Sequence, residues 1–205
     1  MSDTKIIDKY YTIAEPANAE IKIKGSAFIA NAFHASDINS AGETVKEIRA
    51  KYFDASHNCF AYRIGFDGNE YRASDDGEPS GTAGKPILFM INKYELSDIL
   101  VVVTRYFGGT KLGVGGLVRA YSDSAEAVLQ IVNRKIIHRT RKFYIRLNYE
   151  DVSMVKKLIE RQAVSFDENY TDVVEFTVNI LLSEADKFIG LIYSQTNGRI
   201  EPVEI

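Results

Sequence analysis

Residues 99–131 constrain the fold more than any other stretch of the 205-residue chain. The stretch opens with an unbroken apolar run from Ile99 to Val103, which is long enough for one buried strand. It ends with side chains that recur at helical spacing from Leu117 to Ile131. Residues 104–121 also carry five glycines, two arginines and one lysine. The sequence therefore predicts a buried strand, a cationic glycine-rich turn and a helix in succession.

The glycine-rich turn has the composition of a phosphate-binding turn. Glycine accepts positive φ and lets a ligand approach the backbone, and a helix N-terminus offers unpaired N–H groups with partial positive charge. We therefore expect contact with a nucleotide or a nucleic-acid backbone through Lys85, Arg105, Gly108, Gly109, Lys111, Gly113, Gly115, Gly116 and Arg119. The alternative is a tight turn whose glycines only allow the helix to pack closely on the sheet.

The composition limits which partners the chain can attract. Hydrophobic residues make up 45% and charged residues 26%, and the formal net charge is −3, so a nucleic acid would have to be bound by a local basic patch. The single cysteine excludes an intrachain disulfide and a cysteine-rich zinc site. The sequence shows no signal peptide and no stretch long and apolar enough for a membrane span. We expect a cytosolic protein without a membrane partner.

Periodicity and composition predict two α+β domains, 1–137 and 138–205. In the first domain, residues 1–18 are interpreted as a polar lead-in, and Ser36 or Asp37 is expected to cap a helix. We expect its helices on one face of the sheet. The basic run from Arg134 to Lys142 marks the boundary, and it is either a solvated face or a contact for RNA phosphates.

The second domain follows the order β-α-β-β-α-β, which is typical of a ferredoxin-like fold. Asp151 is expected to cap its first helix. Ser183 and Asp186 resemble a capping box for its second helix, and Asn197 with Gly198 is expected to end that helix.

A second glycine-containing loop, residues 74–86, holds three carboxylates within four residues, and its candidate residues are Asp75, Asp76, Glu78, Ser80 and Thr82. Such a loop could bind magnesium, or it could be a turn whose aspartates bond their own backbone. We favour a third interpretation, in which the carboxylates pair with Arg105, Lys111 or Arg119. The two loops would then form one binding surface without a committed metal.

Common enzymatic motifs do not fit the chain. A P-loop would need glycine at Pro79 and serine or threonine at Pro86, and a dinucleotide-binding turn would need glycine at Val118. His57 and Cys59 could form a nucleophilic pair, but a buried structural cysteine is the commoner case. We therefore assign no catalytic residue, no metal ligand and no cofactor, and an enzymatic activity stays open.

Longer motifs resemble the YigZ/Impact family. The resemblance is carried by 74–88, by 101–109, and by 113–121, and 57–62 and 25–29 fit as well. It implies a first domain with the fold of a ribosomal small-subunit protein's second domain and of the fourth domain of elongation factor G, an α/β sandwich. It implies a ferredoxin-like second domain similar to the fifth domain of that factor. Eukaryotic Impact members act in translational control through protein partners.

Together these observations predict a cytosolic protein that binds RNA or the ribosome through the glycine-rich basic loop and modulates translation. Two alternatives stay open. One is a magnesium-dependent enzyme acting on a nucleotide or another phosphate ester. The other is a regulatory protein whose ligand is another protein.

Overall fold

The computed structural model describes residues 6–205 and separates into two compact units. The first unit is formed by residues 10–137, and the second unit is formed by residues 138–205 together with residues 6–9. Each has its own hydrophobic core. The α+β class predicted from the sequence is confirmed.

The first unit is built on a five-stranded antiparallel sheet with the order β2-β3-β6-β4-β5, and two further strands, β1 and β7, pair separately. Its strands are β1 (Lys9–Ile13), β2 (Ala17–Ile23), β3 (Ser26–His34), β4 (His57–Ile64), β5 (Glu70–Ser74), β6 (Ile99–Tyr106) and β7 (Arg134–His138). Its helices are α1 (Ile38–Lys51), α2 (Gly84–Lys93) and α3 (Gly113–Ile131). The strand, turn and helix predicted for residues 99–131 are β6, the glycine-rich loop and α3.

Helices cover both faces of this sheet, so the expectation of helices on one face was wrong. The helices α2 and α3 pack on the face that carries Val101 and Val103, and α1 packs on the opposite face over Leu100 and Val102. The reason is the apolar run of β6. Successive side chains of a strand point to opposite faces, so a continuous apolar run needs cover on both.

The start of α1 follows the sequence prediction. Asp37 is the N-cap, and its carboxylate accepts a hydrogen bond from the Ser40 backbone N–H at 2.8 Å. The apolar stripe of Ala41, Val45 and Ile48 is buried against the sheet, as its three-four spacing indicates.

The ends of the first unit contain two strands that we did not predict. Within the supposed lead-in, β1 forms at Lys9–Ile13 and buries Thr12 and Ile13; residues 1–5 of the lead-in lie outside the described residues. The partner of β1 is β7. The basic run from Arg134 to Lys142 forms β7 and also the start of the strand that follows it. The alternation of polar and apolar residues around β1 is too short to predict a strand from this segment alone.

The second unit has the ferredoxin-like arrangement that the sequence predicts. It consists of β8 (Thr140–Leu147), α4 (Tyr149–Gln162), β9 (Ala163–Tyr170), β10 (Val174–Leu181), α5 (Ala185–Gln195) and β11 (Val203–Glu204). Its antiparallel sheet has the order β11-β8-β10-β9, and both helices pack on the face that carries Phe143, Phe176 and Val178.

Both helix starts predicted for this unit were wrong in detail. The N-cap of α4 is Asn148, and Asp151 lies in the first turn, where it forms an ion pair with Arg199. The N-cap of α5 is Glu184, because the hydroxyl of Ser183 is hydrogen-bonded to Asp8 instead. The end of α5 was predicted correctly, since Asn197 and Gly198 follow it with φ of 52° and 75°. Among residues 6–205, no helix has both the length and the apolar character needed to cross a membrane.

Candidate functional site

A buried ion pair ties one loop of the first unit to the strand that leads into another loop. We call residues 74–83 the acidic loop and residues 107–113 the glycine loop. Arg105, at the end of β6, donates from a terminal guanidinium nitrogen to Oε1 of Glu78 at 2.6 Å, and the hydroxyl of Tyr121 on α3 donates to the same oxygen at 2.8 Å. Glu78 is 8% and Arg105 is 5% exposed. The predicted pairing of an acidic-loop carboxylate with Arg105 is therefore present.

The same burial removes Arg105 from the exposed phosphate ligands with which the sequence grouped it. Its guanidinium lies 5.4 Å from the ring centre of Phe28 and 5.5 Å from that of Phe107. Its Nε has no hydrogen-bond partner within residues 6–205. The buried guanidinium is compensated by Glu78, so the pair fixes the acidic loop to the end of β6, and removing either partner alone would leave a buried charge.

Asp75 organises the acidic loop around the start of α2. Its carboxylate accepts hydrogen bonds from the backbone N–H groups of Gly81 at 2.8 Å, Ala83 at 3.0 Å and Gly84 at 2.9 Å. Desolvation raises the pKa of Asp75, but these three hydrogen bonds outweigh it and hold the pKa below its ordinary value. Asp75 therefore supplies the acceptor for the N–H groups at the start of α2, whose N-cap residue, Ala83, has no polar side chain.

Asp76 and Thr82 also form hydrogen bonds within the protein, whereas Ser80 is exposed. Asp76 accepts from Arg49 at 2.5 Å and from the Asn58 backbone N–H at 2.6 Å. The hydroxyl of Thr82 donates to the carbonyl of Pro79 at 2.6 Å. Within residues 6–205 no group of three or more His, Cys, Asp or Glu is placed to hold a metal ion. The carboxylates thus serve structural contacts.

Cys59 is a buried thiol beside this network. It lies 3.4 Å from the hydroxyl of Tyr121, and it donates to the carbonyl of Asp75 at 2.9 Å. Burial, followed by the nearby carboxylates, raises its pKa to about 12. Since the thiolate is the nucleophilic form, this environment favours the structural interpretation of Cys59.

The glycines of the glycine loop differ in why the structure accommodates a glycine at each position. Gly108 packs against the backbone of Gly25: a Cβ added to it would lie 1.9 Å from the carbonyl carbon of Gly25. Gly109 and Gly113 have φ of 85° and 72°, and an added Cβ would meet nothing within 4 Å. Gly108 is thus required for close packing on the turn between β2 and β3 and not for packing of a helix on the sheet, whereas the backbone of Gly109 and Gly113 is open to a ligand.

The N-terminus of α3 has no side-chain cap among residues 6–205. Its N-cap is Leu112, whose side chain carries no acceptor, and none of the side chains in that range accepts a hydrogen bond from the first N–H groups of α3. Two cavities lie on either side of Leu112. One, of about 280 Å³, is lined by Lys111 and Gly113 together with Phe107, and the other, of about 330 Å³, is lined by Lys24, Gly115, Gly116 and Arg119.

The exposed cations predicted to bind phosphate therefore lie at two separate places. Lys111 and Arg119 are exposed on the two sides of the α3 N-terminus. Lys85 is exposed on the first turn of α2 and lines neither cavity. Sequence reasoning missed Lys24, which has φ of 45° in the turn between β2 and β3, and Tyr121, whose helical spacing indicated only a core position.

Each of the two units contains a region that matches a known domain family. Residues 24–129 match the model of the Impact N-terminal domain. Residues 145–199 match a domain of unknown function, DUF1949.

Relatives with similar sequences carry the Impact name. An Impact family member of Bacillus subtilis, YvyE, is 37% identical over 95% of this chain and 90% of its own length. The Escherichia coli member YigZ is 34% identical over 71% of this chain and 72% of its own length. A crystal structure of a hypothetical protein is 27% identical, covers 98% of both chains and superposes with a TM-score of 0.68.

Proposed function

We propose that this chain, which belongs to the Impact family, binds RNA at the N-terminus of α3 and thereby modulates translation. The observation that carries the proposal is the pairing of an uncapped helix N-terminus with exposed cations on both of its sides, Lys111 and Arg119. Free N–H groups, the helix dipole and two cations all favour a phosphate there. The net charge of −3 makes such a local site necessary for binding a polyanion.

The surroundings suit RNA better than a free phosphate ion. The ring of Phe107 is 50% exposed beside Lys111, and Val114 on the first turn of α3 is 64% exposed. An exposed ring next to a cationic backbone-binding surface can stack on an unpaired base, as in proteins that bind single strands. We infer that Phe107 contacts a base while Lys111 contacts the adjacent phosphate.

The link to translation rests on the family. The Impact-type first domain resembles a domain of a ribosomal protein and a domain of elongation factor G, which supports ribosomal RNA as the target and the cytosol as the place of action. This support is by analogy of fold. Because the acidic-loop carboxylates are engaged by donors of the protein, we do not propose a magnesium-dependent reaction.

The test measures binding of a single-stranded RNA oligonucleotide and of purified ribosomes over a range of salt concentrations. We compare the wild type with the double variant Lys111→Ala, Arg119→Ala. The double variant should bind more weakly. For the oligonucleotide, its slope of log K against log salt should be shallower by about 1.4, because each lost contact to a single strand contributes about 0.7.

A matched control is the double variant Lys157→Ala, Arg161→Ala on α4, which removes the same two charge types from exposed positions of the second unit. It should bind RNA like the wild type. Equal losses of RNA affinity in the two double variants would show that binding depends only on net charge and would contradict a site at α3.

A further inference from the structure

We propose that a groove between α1 and the sheet edge binds an acidic, extended segment of a partner protein. This groove, which we call the α1 groove, has a volume of about 260 Å³. Ala41, Val45, Phe60 and Tyr62 provide its apolar lining, and Lys46, Arg49 and Arg72 provide its cations. It involves none of the residues proposed above to bind RNA.

The strand at the groove has a free edge. In the sheet, β5 is the last strand, and among residues 6–205 it pairs only with β4. On one face of the sheet α2 packs on β5, whereas α1 on the other face packs mainly on β4 and β6. No backbone hydrogen bond from residues 70–73 to a group outside the sheet exists within residues 6–205. The outward backbone groups of β5 can therefore pair with another strand.

The charges of the α1 groove favour an acidic ligand. Arg49 is paired with Asp76, but Lys46 has no ion-pair partner within residues 6–205, and the guanidinium of Arg72 lies 5.9 Å from the ring centre of Phe60. Glu70 shares the face of Arg72, since the two pair with Ile64 and Tyr62 of β4, but Glu70 does not line the groove. A surplus of positive charge remains, so a partner with carboxylates would be complementary.

Gly42 adds open space to the α1 groove. It lies in the interior of α1 and lines the groove, where glycine is an unfavourable residue for a helix. A Cβ added to Gly42 would meet nothing within 4 Å, so packing within the chain does not require a glycine. The missing side chain leaves space for a ligand to approach the helix backbone.

An extended peptide fits these features better than RNA does. Phe60 is 7% and Tyr62 is 6% exposed, so their ring faces are not available for stacking on bases. A strand added to β5 would place alternate side chains beside Arg72 on the groove face and beside Tyr71 on the opposite face. Because Tyr71 is 64% exposed, the ligand should alternate acidic with apolar residues.

The probe is a synthetic peptide of about seven residues that alternates glutamate with valine, long enough to cover β5. Titration followed by NMR of the full chain should shift backbone amides in β5 and along the groove side of α1. Lys46→Glu or Arg72→Glu should weaken binding about tenfold or more. The matched charge reversal Lys157→Glu, at an exposed position of α4, should leave binding unchanged.

Gly42→Ala separates binding from folding. The new methyl group has space, so this variant should unfold at higher urea concentration than the wild type, yet bind the peptide several-fold more weakly. Gly190→Ala is the control, because Gly190 lies inside α5 with equally open surroundings. It should raise the urea midpoint and leave peptide binding unchanged. Equal peptide binding by the wild type and by Gly42→Ala would overturn the role of the groove.

Three further results would overturn the proposal. One is the absence of shifts in β5 and α1 at millimolar peptide. Another is equal binding of a peptide in which lysine replaces each glutamate. The third is a single-stranded RNA oligonucleotide that shifts these amides while the acidic peptide does not, which would assign the groove to nucleic acid. The variant Lys111→Ala, Arg119→Ala should bind the peptide normally, so failure of the RNA proposal leaves this test intact.

Discussion

The first unit contains two glycine-containing loops that each lead into a helix, and the two helix N-termini differ in one respect. At the start of α2, the carboxylate of Asp75 binds the backbone N–H groups of Gly81, Ala83 and Gly84. At the start of α3, the N-cap Leu112 has no acceptor, and in the part of the chain that the structure describes no side chain binds the first N–H groups. Glycine content therefore does not distinguish a binding turn from a structural one. The distinguishing property is whether the protein already supplies the anion.

Glu78→Ala should give the largest effect on this comparison, because Glu78 ties the acidic loop to Arg105 at the end of β6 and to Tyr121 on α3. The variant leaves the guanidinium of Arg105 buried without a carboxylate, which typically costs about 3–5 kcal/mol of stability. Urea unfolding at neutral pH measures the loss. The double variant Glu78→Leu, Arg105→Met should lose less than Glu78→Ala alone. A loss below about 1 kcal/mol in Glu78→Ala would show that the ion pair does not hold the acidic loop against β6.

Gly84→Ala should have the next largest effect and shows how tightly the capped N-terminus is packed. An added Cβ would lie 2.5 Å from the Ser74 backbone nitrogen, so backbone must shift. We expect a loss of about 1–3 kcal/mol in the free energy of unfolding, measured in urea. Wild-type stability in this variant would mean that the start of α2 can move away from β5.

Asp75→Ala removes the anion that distinguishes the two N-termini, and it should cost about 1–2 kcal/mol at neutral pH. The folded-state pKa of Asp75 is lowered, so its stabilisation is present above the unfolded-state pKa near 4 and is lost as the pH falls through the folded value. The stability difference between the wild type and Asp75→Ala should therefore shrink below about pH 4. Urea unfolding at about pH 7 and about pH 3 checks this. A difference that grows in acid would contradict the assignment.

Gly115→Ala should give the smallest effect, and it has the opposite sign. An added Cβ meets nothing within 4 Å in the first turn of α3, so we expect a gain of about 0.5 kcal/mol in urea unfolding. RNA binding should weaken, since Gly115 lines a cavity beside the free N-terminus. Unchanged RNA affinity would show that this side of α3 does not face the ligand.

Much of the fold could be predicted because local signals and packing agree. Asp37 supplies a cap where an apolar stripe begins, and the second unit has regular alternation in its strands. The errors have a common cause. Residues 9–13 become a strand only by pairing with β7, and Ser183 bonds Asp8 rather than α5, so both depend on residues more than a hundred positions away.

The candidate site was predictable in its residue types but only partly in their roles. The charges of Glu78 and Arg105 suggest a pair, yet sequence does not show that the pair is buried and closed by Tyr121. Lys24 contributes only because a turn brings it beside α3, and that requires the register of β2 and β3. The α1 groove exists because β5 lies at the edge of the sheet. The periodicity of the sequence does not show which strand occupies the edge.

The close approach of Gly25 and Gly108 has a genetic consequence. Each glycine would place a new Cβ against backbone atoms of the other, at 2.9 Å for Gly25 and 1.9 Å for Gly108. A substitution elsewhere can shorten a side chain, but it cannot remove these backbone atoms. In a library covering every position, both sites should reject all other residues, and no second mutation at one should suppress a defect at the other. Because Gly108 belongs to the glycine loop, intolerance there would report folding rather than ligand contact.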